Sequence, residues 1–271
     1  MRRGGAVIVA IIAVGAALAI AVARRERDQG ARCGPGFVAK GARCLAPFGE
    51  CPQRLVPSPQ GCDAPGARVM VPAATVALGP ADWEAERTVL PRTIRADAFR
   101  LDAFEVTRGQ WGNAARDDAG RAASGMTRDE AAAFCAARGG RLPTEDQWIV
   151  AAASAADAPP RYPWGDTGAV CRRAAWGLAA GPCAVGADGP DTVGAHGDGD
   201  SPLGLHDLAG NVAEWVAPNP SPRAEQAPSP GIAKGGSWQS ELATDLRIWA
   251  RLELDPDAHD PRVGLRCAYP P

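Results

Sequence analysis

Hydrophobic residues form one long unbroken run near the start of the chain, "AVIVAIIAVGAALAIAVA" at residues 6–23. At about 1.5 Å per helical residue, this run covers roughly the 30 Å hydrocarbon thickness of a bilayer. The pattern predicts a single membrane-anchor helix within residues 1–28. A cleaved secretion signal is the alternative, because "AVA" at residues 21–23 fits the cleavage pattern, but the apolar region of such signals is usually about 7–15 residues.

Two runs that alternate between hydrophobic and polar positions come later. "RVMVPAATVALG" at residues 68–79 alternates as a strand does, and "AFRLDAFEVTRGQW" at residues 98–111 begins with a second alternation that breaks at Glu105. Because side chains on a strand point alternately to its two faces, these runs predict two strands.

Two helix starts of the same kind follow the strands. Thr127 stands three residues before Glu130, and Thr144 stands three residues before Gln147. Each pair has the spacing of a capping box, in which the threonine hydroxyl and the later side chain satisfy backbone N–H groups reciprocally. Gly139 supplies a stop for the first helix.

Beyond residue 158 the chain has little periodicity. A compact fold in such a chain needs internal support, which disulfides or bound cations supply. Large aromatic side chains that a core would bury are nevertheless scattered through this half: Trp164, Trp176, Trp215, Trp238 and Trp249.

The spacing of the cysteines predicts two units after the apolar run. Two segments, "CGPGFVAKGARC" and "CPQRLVPSPQGC", share one frame and predict a small disulfide-rich unit at residues 29–66, ahead of a main domain at 67–271. Pairing within each segment closes a short loop and contributes roughly 3 kcal/mol, while cross-pairing between the segments stays open. An even set of cysteines after the apolar run is typical of an exported protein: Cys33, Cys44, Cys51, Cys62, Cys135, Cys171, Cys183 and Cys267.

Composition excludes one class of partner. The formal net charge is −2, with 29 Lys and Arg against 31 Asp and Glu, so there is no basic excess for binding nucleic acid. At 271 residues and 46% hydrophobic content, the chain can bury one good-sized core.

The stretch "GLHDLAGNVAEWV" at residues 204–216 is the first candidate for chemistry. Asp207 and Glu214 are hard oxygen ligands, and the carbonyls of Gly210 and Val212 between them could complete a tight turn around calcium. On spacing alone, two solvated loop acids are the better explanation of the pattern.

Several stretches in this order resemble the formylglycine-generating enzyme, or sulfatase-modifying factor, family. They are "VPAATVALG", "FEVTRGQW", "FCAARGGRLPTEDQWIVAA", "YPWGD", "GLHDLAGNVAEWV", "GGSW" and "RVGLRC". The resemblance implies an α+β fold related to C-type lectin domains, with little regular secondary structure. It favours one structural calcium ion on Asp207, Gly210, Val212 and Glu214.

The same resemblance implies how the remaining cysteines pair. It joins Cys135 to Cys267. A second calcium site of the family is not expected, since "RAAW" has Ala174 and Ala175 where oxygen ligands are needed, and a Cys171–Cys183 bond is the hypothesis for a clamp in its place.

The copper chemistry of the family is not expected here. Its two copper cysteines correspond to Ser240 and Asp245, and its arginine corresponds to Arg247. Copper(I) is soft and selects thiolates, which a hydroxyl and a carboxylate do not replace. Formylglycine formation should therefore be lost, and no copper is expected.

We accordingly expect a membrane-tethered, exported binding module, with its main domain in the periplasm or outside the cell. Its partner would be an extracytoplasmic peptide, glycan or envelope protein. One alternative is an oxidoreductase of the same fold that uses Asp245 and a histidine around a harder metal. A purely structural envelope protein is the other.

Overall fold

The structure, a computed structural model, describes residues 32–46, 51–52, 54–59, 61–79, 89–115, 117–219 and 230–271. The predicted anchor at residues 1–28 lies outside these ranges. Within them, no helix combines the length and the apolar character that crossing a bilayer requires.

The two cysteine segments each form a small antiparallel hairpin closed by its own disulfide, Cys33–Cys44 in the first and Cys51–Cys62 in the second. Leu55 of the second hairpin packs in one hydrophobic cluster with Phe104 and Val193 of the main domain. The boundary between residues 66 and 67 stays a prediction, and the two sides share buried contacts. The strands are β1 (Val38–Lys40), β2 (Arg43–Leu45), β3 (Val56–Ser58) and β4 (Gly61–Asp63).

The two predicted strands of the main domain correspond to three shorter ones, and a fourth, at residues 92–96, was not predicted. Proline cannot donate to a strand ladder, and the first run is split at Pro72. The first and last of the four pair with each other, and the middle two form a separate hairpin. They are β5 (Arg68–Val71), β6 (Ala74–Leu78), β7 (Arg92–Ala96) and β8 (Phe99–Asp102).

Both predicted helices are present, and their capping boxes are formed at Thr127 and Thr144. A third capping box, at Thr107, begins a one-turn helix that the sequence did not predict. Gly139 ends the second helix with a positive φ of 74°. The helices are α1 (Arg108–Trp111), α2 (Arg128–Ala137) and α3 (Glu145–Ala152).

The C-terminal half is irregular, with short strands and two 3-10 turns at Gly197–Gly199 and Ala243–Leu246. A four-stranded sheet has the order β11-β10-β9-β12, and its β9–β12 pair is parallel. Mixed α and β structure with little helix is therefore confirmed. The strands are β9 (Ala213–Val216), β10 (Gly231–Lys234), β11 (Leu252–Leu254), β12 (Val263–Gly264) and β13 (Ala268–Tyr269).

Two disulfides lie within the main domain, and one of them links parts that are distant in sequence. Cys135 of α2 is bonded to Cys267, 132 residues away, and Cys171 is bonded to Cys183. Disulfide bonding is thus confirmed for all eight cysteines, and none is free.

Candidate functional site

The turn between Asp207 and β9 has an unusual backbone. Asp207, Gly210 and Asn211 all have positive φ, at 54°, 87° and 54°. A Cβ at Gly210 would lie 2.5 Å from the Ala175 carbonyl oxygen, which itself accepts a hydrogen bond from Asn211 N–H. Only glycine fits this position, because both the conformation and the close approach of another backbone exclude a side chain.

Glu105 holds this turn from a distant part of the chain. Its Oε2 accepts from the Asn211 side-chain amide at 2.5 Å, and its Oε1 accepts from Val212 N–H at 3.0 Å. The Glu105 side chain is 1% exposed. In the sequence this residue marked only the end of a strand, and no local signal identified it as a partner of the turn.

Glu214, a predicted calcium ligand, is engaged by a buried arginine. Arg266 Nε lies 2.8 Å from both Glu214 carboxylate oxygens, and Nη2 lies 2.6 Å from Oε1. Trp148 Nε1 donates to Oε2 at 2.7 Å. Arg266 is fully buried and also donates to the carbonyls of Asp102, Ala103 and His206.

The carboxylates around the turn outnumber this arginine. Burial raises the pKa of Glu105 well above its usual value, and the charges of Asp207 and Glu214 raise it further. Burial also raises the pKa of Asp207 and of Glu214. A cation near Asp207 and Glu105 would offset this surplus of buried negative charge.

The residues fit calcium incompletely. Asp207, Gly210, Val212 and Glu214 lie in one buried turn, as expected. The Glu214 carboxylate, however, already accepts hydrogen bonds from Arg266 and Trp148. Without it, the Asp207 carboxylate and two carbonyls supply fewer than the roughly six to eight oxygen ligands that calcium takes. Calcium at this turn stays a prediction, and it would require Glu214 to exchange partners.

The resemblance assigns the copper positions to Ser240 and Asp245, and these residues lie close together in the fold. Ser240 Oγ accepts from Ser237 N–H at 3.0 Å. Burial raises the pKa of Asp245, although nearby groups of Leu242, Thr244 and Ser240 lower it. Both side chains line a cavity of about 250 Å³.

Arg247 does not line that cavity. It is 8% exposed, and its guanidinium carbon lies 5.8 Å from the centre of the Trp249 ring. The three histidines lie elsewhere as well: His196 beside Asp191, His206 beside Asp200, and His259 against the Gly125 carbonyl. The described residues therefore do not assemble Asp245 with a histidine.

A larger groove of about 550 Å³ adjoins the Ser240 cavity, and Arg251 lines both. Its walls carry aliphatic side chains, one aromatic ring and guanidinium groups. Arg251 Nε is held 3.1 Å from Glu145 Oε1 at the base of the groove. The main lining residues are Leu78, Val89, Arg92, Arg128, Ile149, Val216, Ile232 and Trp249.

Lys234 lies buried behind this groove. It is 1% exposed, its Nζ is 3.7 Å from Glu145 Oε1, and it has no hydrogen-bond partner among the described residues. Burial lowers the pKa of Lys234 to about 7. No sequence pattern predicted that Lys234 is buried; it stands out only as one of two lysines in an arginine-rich chain.

Comparison with known proteins supports the resemblance. The family described as "Sulfatase-modifying factor enzyme 1-like domain" matches residues 53–270. The chain is 32% identical over 151 residues to "Inactive C-alpha-formylglycine-generating enzyme 2" of Mus musculus, which is 52% of this chain and 46% of that protein. It is 30% identical over 163 residues to "Formylglycine-generating enzyme" of Thermomonospora curvata, which is 53% of this chain and 54% of that protein.

These matches span about half the length of the curated relatives. Among solved structures, "Treponema denticola variable protein 1" superposes with a TM-score of 0.61 at 19% identity. The superposition covers 75% of this chain and 95% of that one. At this identity the likeness extends to the fold.

Replacing Lys234 should change the pH dependence of stability. The folded-state pKa of about 7 lies below the ordinary value of 10.5, so the unfolded chain binds more protons between these limits. The free energy of unfolding should therefore rise from pH 7 upward, by at most about 1.4 kcal/mol per pH unit. Urea titrations should show that Lys234→Met removes this rise, whereas Lys40→Met, at an exposed strand position, keeps it. An unchanged slope in Lys234→Met would contradict the assignment.

Calcium should raise the melting temperature if the turn binds it. At a free concentration near 100 times Kd, binding stabilises the folded state by about 2.7 kcal/mol, a shift of roughly 5–10 °C for a domain of this size. Calorimetry with calcium and with EGTA measures the shift. Asp207→Asn should abolish it, while Asp260→Asn, which breaks only the pair with Arg262, should leave it intact. Equal melting temperatures in calcium and in EGTA would contradict calcium binding at this turn.

Proposed function

The chain belongs to the sulfatase-modifying factor enzyme 1-like family, and we propose that it acts there as a binding module rather than as a copper oxidase. The observation that supports this most is that Ser240 and Asp245 line one cavity. Two hard oxygen side chains stand there, where a soft ion would need two thiolates. All eight cysteines are in disulfides, so none of them supplies a replacement thiolate.

The chain still has a concave surface around Ser240 and Asp245, although it lacks thiolates there. The Ser240 cavity remains, and Arg251 joins it to the larger groove. Ligand sites are usually concave and mostly apolar, with a few placed polar groups, and the groove has this character. We propose that an extended peptide segment of an extracytoplasmic partner is the ligand, because aliphatic walls suit peptide side chains and Trp249 is the only aromatic residue among those lining the described groove.

Membrane tethering belongs to the same proposal. It is supported by the apolar run at residues 6–23, which is long enough to span a bilayer. The main domain would then lie on the periplasmic or outer side, where its disulfides persist. The full chain should stay with membranes on alkaline extraction, whereas a chain that starts at residue 29 should be released. Release of the full chain would contradict tethering.

The copper argument can be tested by restoring the thiolates. Ser240→Cys combined with Asp245→Cys places two sulfur atoms in the cavity that these residues line, and should create a site for one Cu(I) per chain. Competition with a chromogenic Cu(I) chelator measures this gain. The native chain should show neither this binding nor, with Cu(I) and air, conversion of a thiol peptide to its aldehyde. Tight Cu(I) binding or aldehyde formation by the native chain would refute the proposal.

The groove can be tested with peptides selected on the immobilised full chain from a random library. Trp249→Ala and Arg251→Ala should each lower the affinity for the selected peptide by about tenfold or more, since buried aromatic and arginine anchors dominate such interfaces. Fluorescence anisotropy measures the affinity. Arg100→Ala, at an exposed position of β8, is the matched control and should have little effect. Equal losses in all three variants, or selection of glycans and no peptide in a parallel array, would contradict a peptide groove.

A further inference from the structure

The first hairpin is fastened to the main domain next to its disulfide. Cys44 N–H donates to Asp191 Oδ1 at 2.9 Å, and Gly34 N–H donates to the Ala195 carbonyl at 2.8 Å. Cys44 is fully buried in this contact, whereas its partner Cys33 is partly exposed. Of the two residues in the bond, Cys44 is therefore closed off by the main domain and Cys33 is the more accessible.

Metal-binding side chains converge at the buried sulfur. The Cys44 Sγ, a carboxylate oxygen of Asp191 and a ring nitrogen of His196 all lie within 4.8 Å of one another. Among the described residues, no other group of three cysteine, histidine or acidic side chains comes this close. All three are buried, with Asp191 2% and His196 5% exposed.

The hydrogen bonds of His196 fix what its second nitrogen can carry. Nδ1 lies 2.9 Å from the Cys171 carbonyl oxygen, and because a carbonyl only accepts, Nδ1 must be the donor. Nε2 then faces Asp191 Oδ2 at 3.3 Å. Two lone pairs cannot face each other there, so the two groups share either a proton, held on Nε2 or on the carboxyl, or a metal ion.

This spacing suits a tetrahedral ion. With nitrogen and oxygen ligands at roughly 2.0–2.1 Å, zinc holds the two ligand atoms about 3.3 Å apart. A metal-bound histidine usually donates its other N–H to a backbone carbonyl, as His196 does to Cys171. Asp191 is likewise oriented, since its Oδ1 accepts from Cys44 N–H and from Thr192 N–H.

We propose that reduction of the Cys33–Cys44 disulfide converts this cluster into a zinc site. The ligands are the Cys44 thiolate, His196 Nε2 and Asp191 Oδ2, with the Cys33 thiolate as the fourth. Thiolate and imidazole together select zinc among the common divalent ions that lack redox chemistry. In the oxidised chain the sulfurs are bonded to each other and the site is closed to metal.

The chemistry balances with a dithiol reductant. Its thiolate attacks Sγ of Cys33, the more exposed residue of the two, and the electron pair of the disulfide leaves on Cys44 Sγ. The second thiol of the reductant resolves the mixed disulfide, so the reductant is oxidised to its own disulfide and Cys33 is released as a thiol. Zinc then displaces two protons from the two protein thiols.

The second hairpin provides a matched control. Cys51–Cys62 closes a loop of the same sequence separation, 11 residues, and Cys62 is also buried. The acid next to it, Asp63, bonds Ala64 N–H and the Thr107 hydroxyl, and no metal-binding group forms there among the described residues. The two disulfides therefore differ in their neighbouring side chains, because, in the part of the chain that the structure describes, only Cys33–Cys44 has a histidine and an acid within metal-binding distance.

The first experiment uses the native full chain in a dithiol redox buffer with and without zinc, with thiols mapped by alkylation and mass spectrometry. Because zinc binds only the reduced form, it should raise the reduced fraction of Cys33–Cys44 severalfold and leave Cys51–Cys62 unchanged. If zinc shifts neither pair, or shifts both equally, the proposal is wrong.

The second experiment releases Cys44 without any reductant. Cys33→Ser should bind one Co(II) per chain with a thiolate-to-cobalt absorption band that zinc abolishes, and Cys51→Ser should show no such band. Adding His196→Gln to Cys33→Ser should weaken the binding at least about tenfold. A Cys33→Ser chain that keeps its near-ultraviolet circular dichroism but lacks the band would overturn the proposal, as would equal binding after His196→Gln.

Discussion

The buried ion pair between Arg266 and Glu214 is the interaction on which the candidate site depends. Arg266 lies in the segment between β12 and β13, and Glu214 lies on β9, so the pair joins that segment to the four-stranded sheet. Both are fully or almost fully buried, at 0% and 1% exposed. Burying two charges is costly unless the geometry is good and the remaining donors are satisfied. Here the guanidinium also reaches three backbone carbonyls, so its burial is compensated.

Backbone hydrogen bonds connect the turn beside this pair to the segment that lines the smaller cavity. The turn that precedes Glu214 holds the "GGSW" segment by two bonds, Gly210 N–H to the Gly235 carbonyl at 2.9 Å and Trp238 N–H to the Asn211 carbonyl at 2.8 Å. That segment carries Ser237 and Ser240 into the smaller cavity. The floor of the candidate site is thus positioned by backbone contacts rather than by its own side chains. Lysine in place of Arg266 could not keep this arrangement, because an ammonium lacks the planar fork of donors.

Local chemistry determined which parts of the fold could be predicted from the sequence. The capping boxes at Thr127 and Thr144 need only residues three apart, and both helices begin there. Glu105 could not be found in this way, because its amide partner Asn211 is 106 residues distant and nothing near Glu105 signals the contact. The strand at residues 68–79 was wrong in its length because the alternation continues across Pro72, where the ladder cannot. Lys234 was missed for a related reason, since its burial follows from tertiary packing against Glu145 and not from its neighbours.

The supports of the turn are separate from the two positions that the resemblance assigns to copper cysteines. Ser240 and Asp245 interact within one short segment: Ser240 Oγ accepts from Ser237 N–H, and the groups that lower the pKa of Asp245 belong to Leu242, Thr244 and Ser240. The hydrogen bonds that support the turn use backbone groups, Glu105, Glu214 and Arg266, and none of them uses the side chains of Ser240 or Asp245. Substitution at the two positions therefore alters what the cavity can bind without removing a support. Under the proposed function, the groove that Arg251 shares with this cavity would keep its walls after such a substitution.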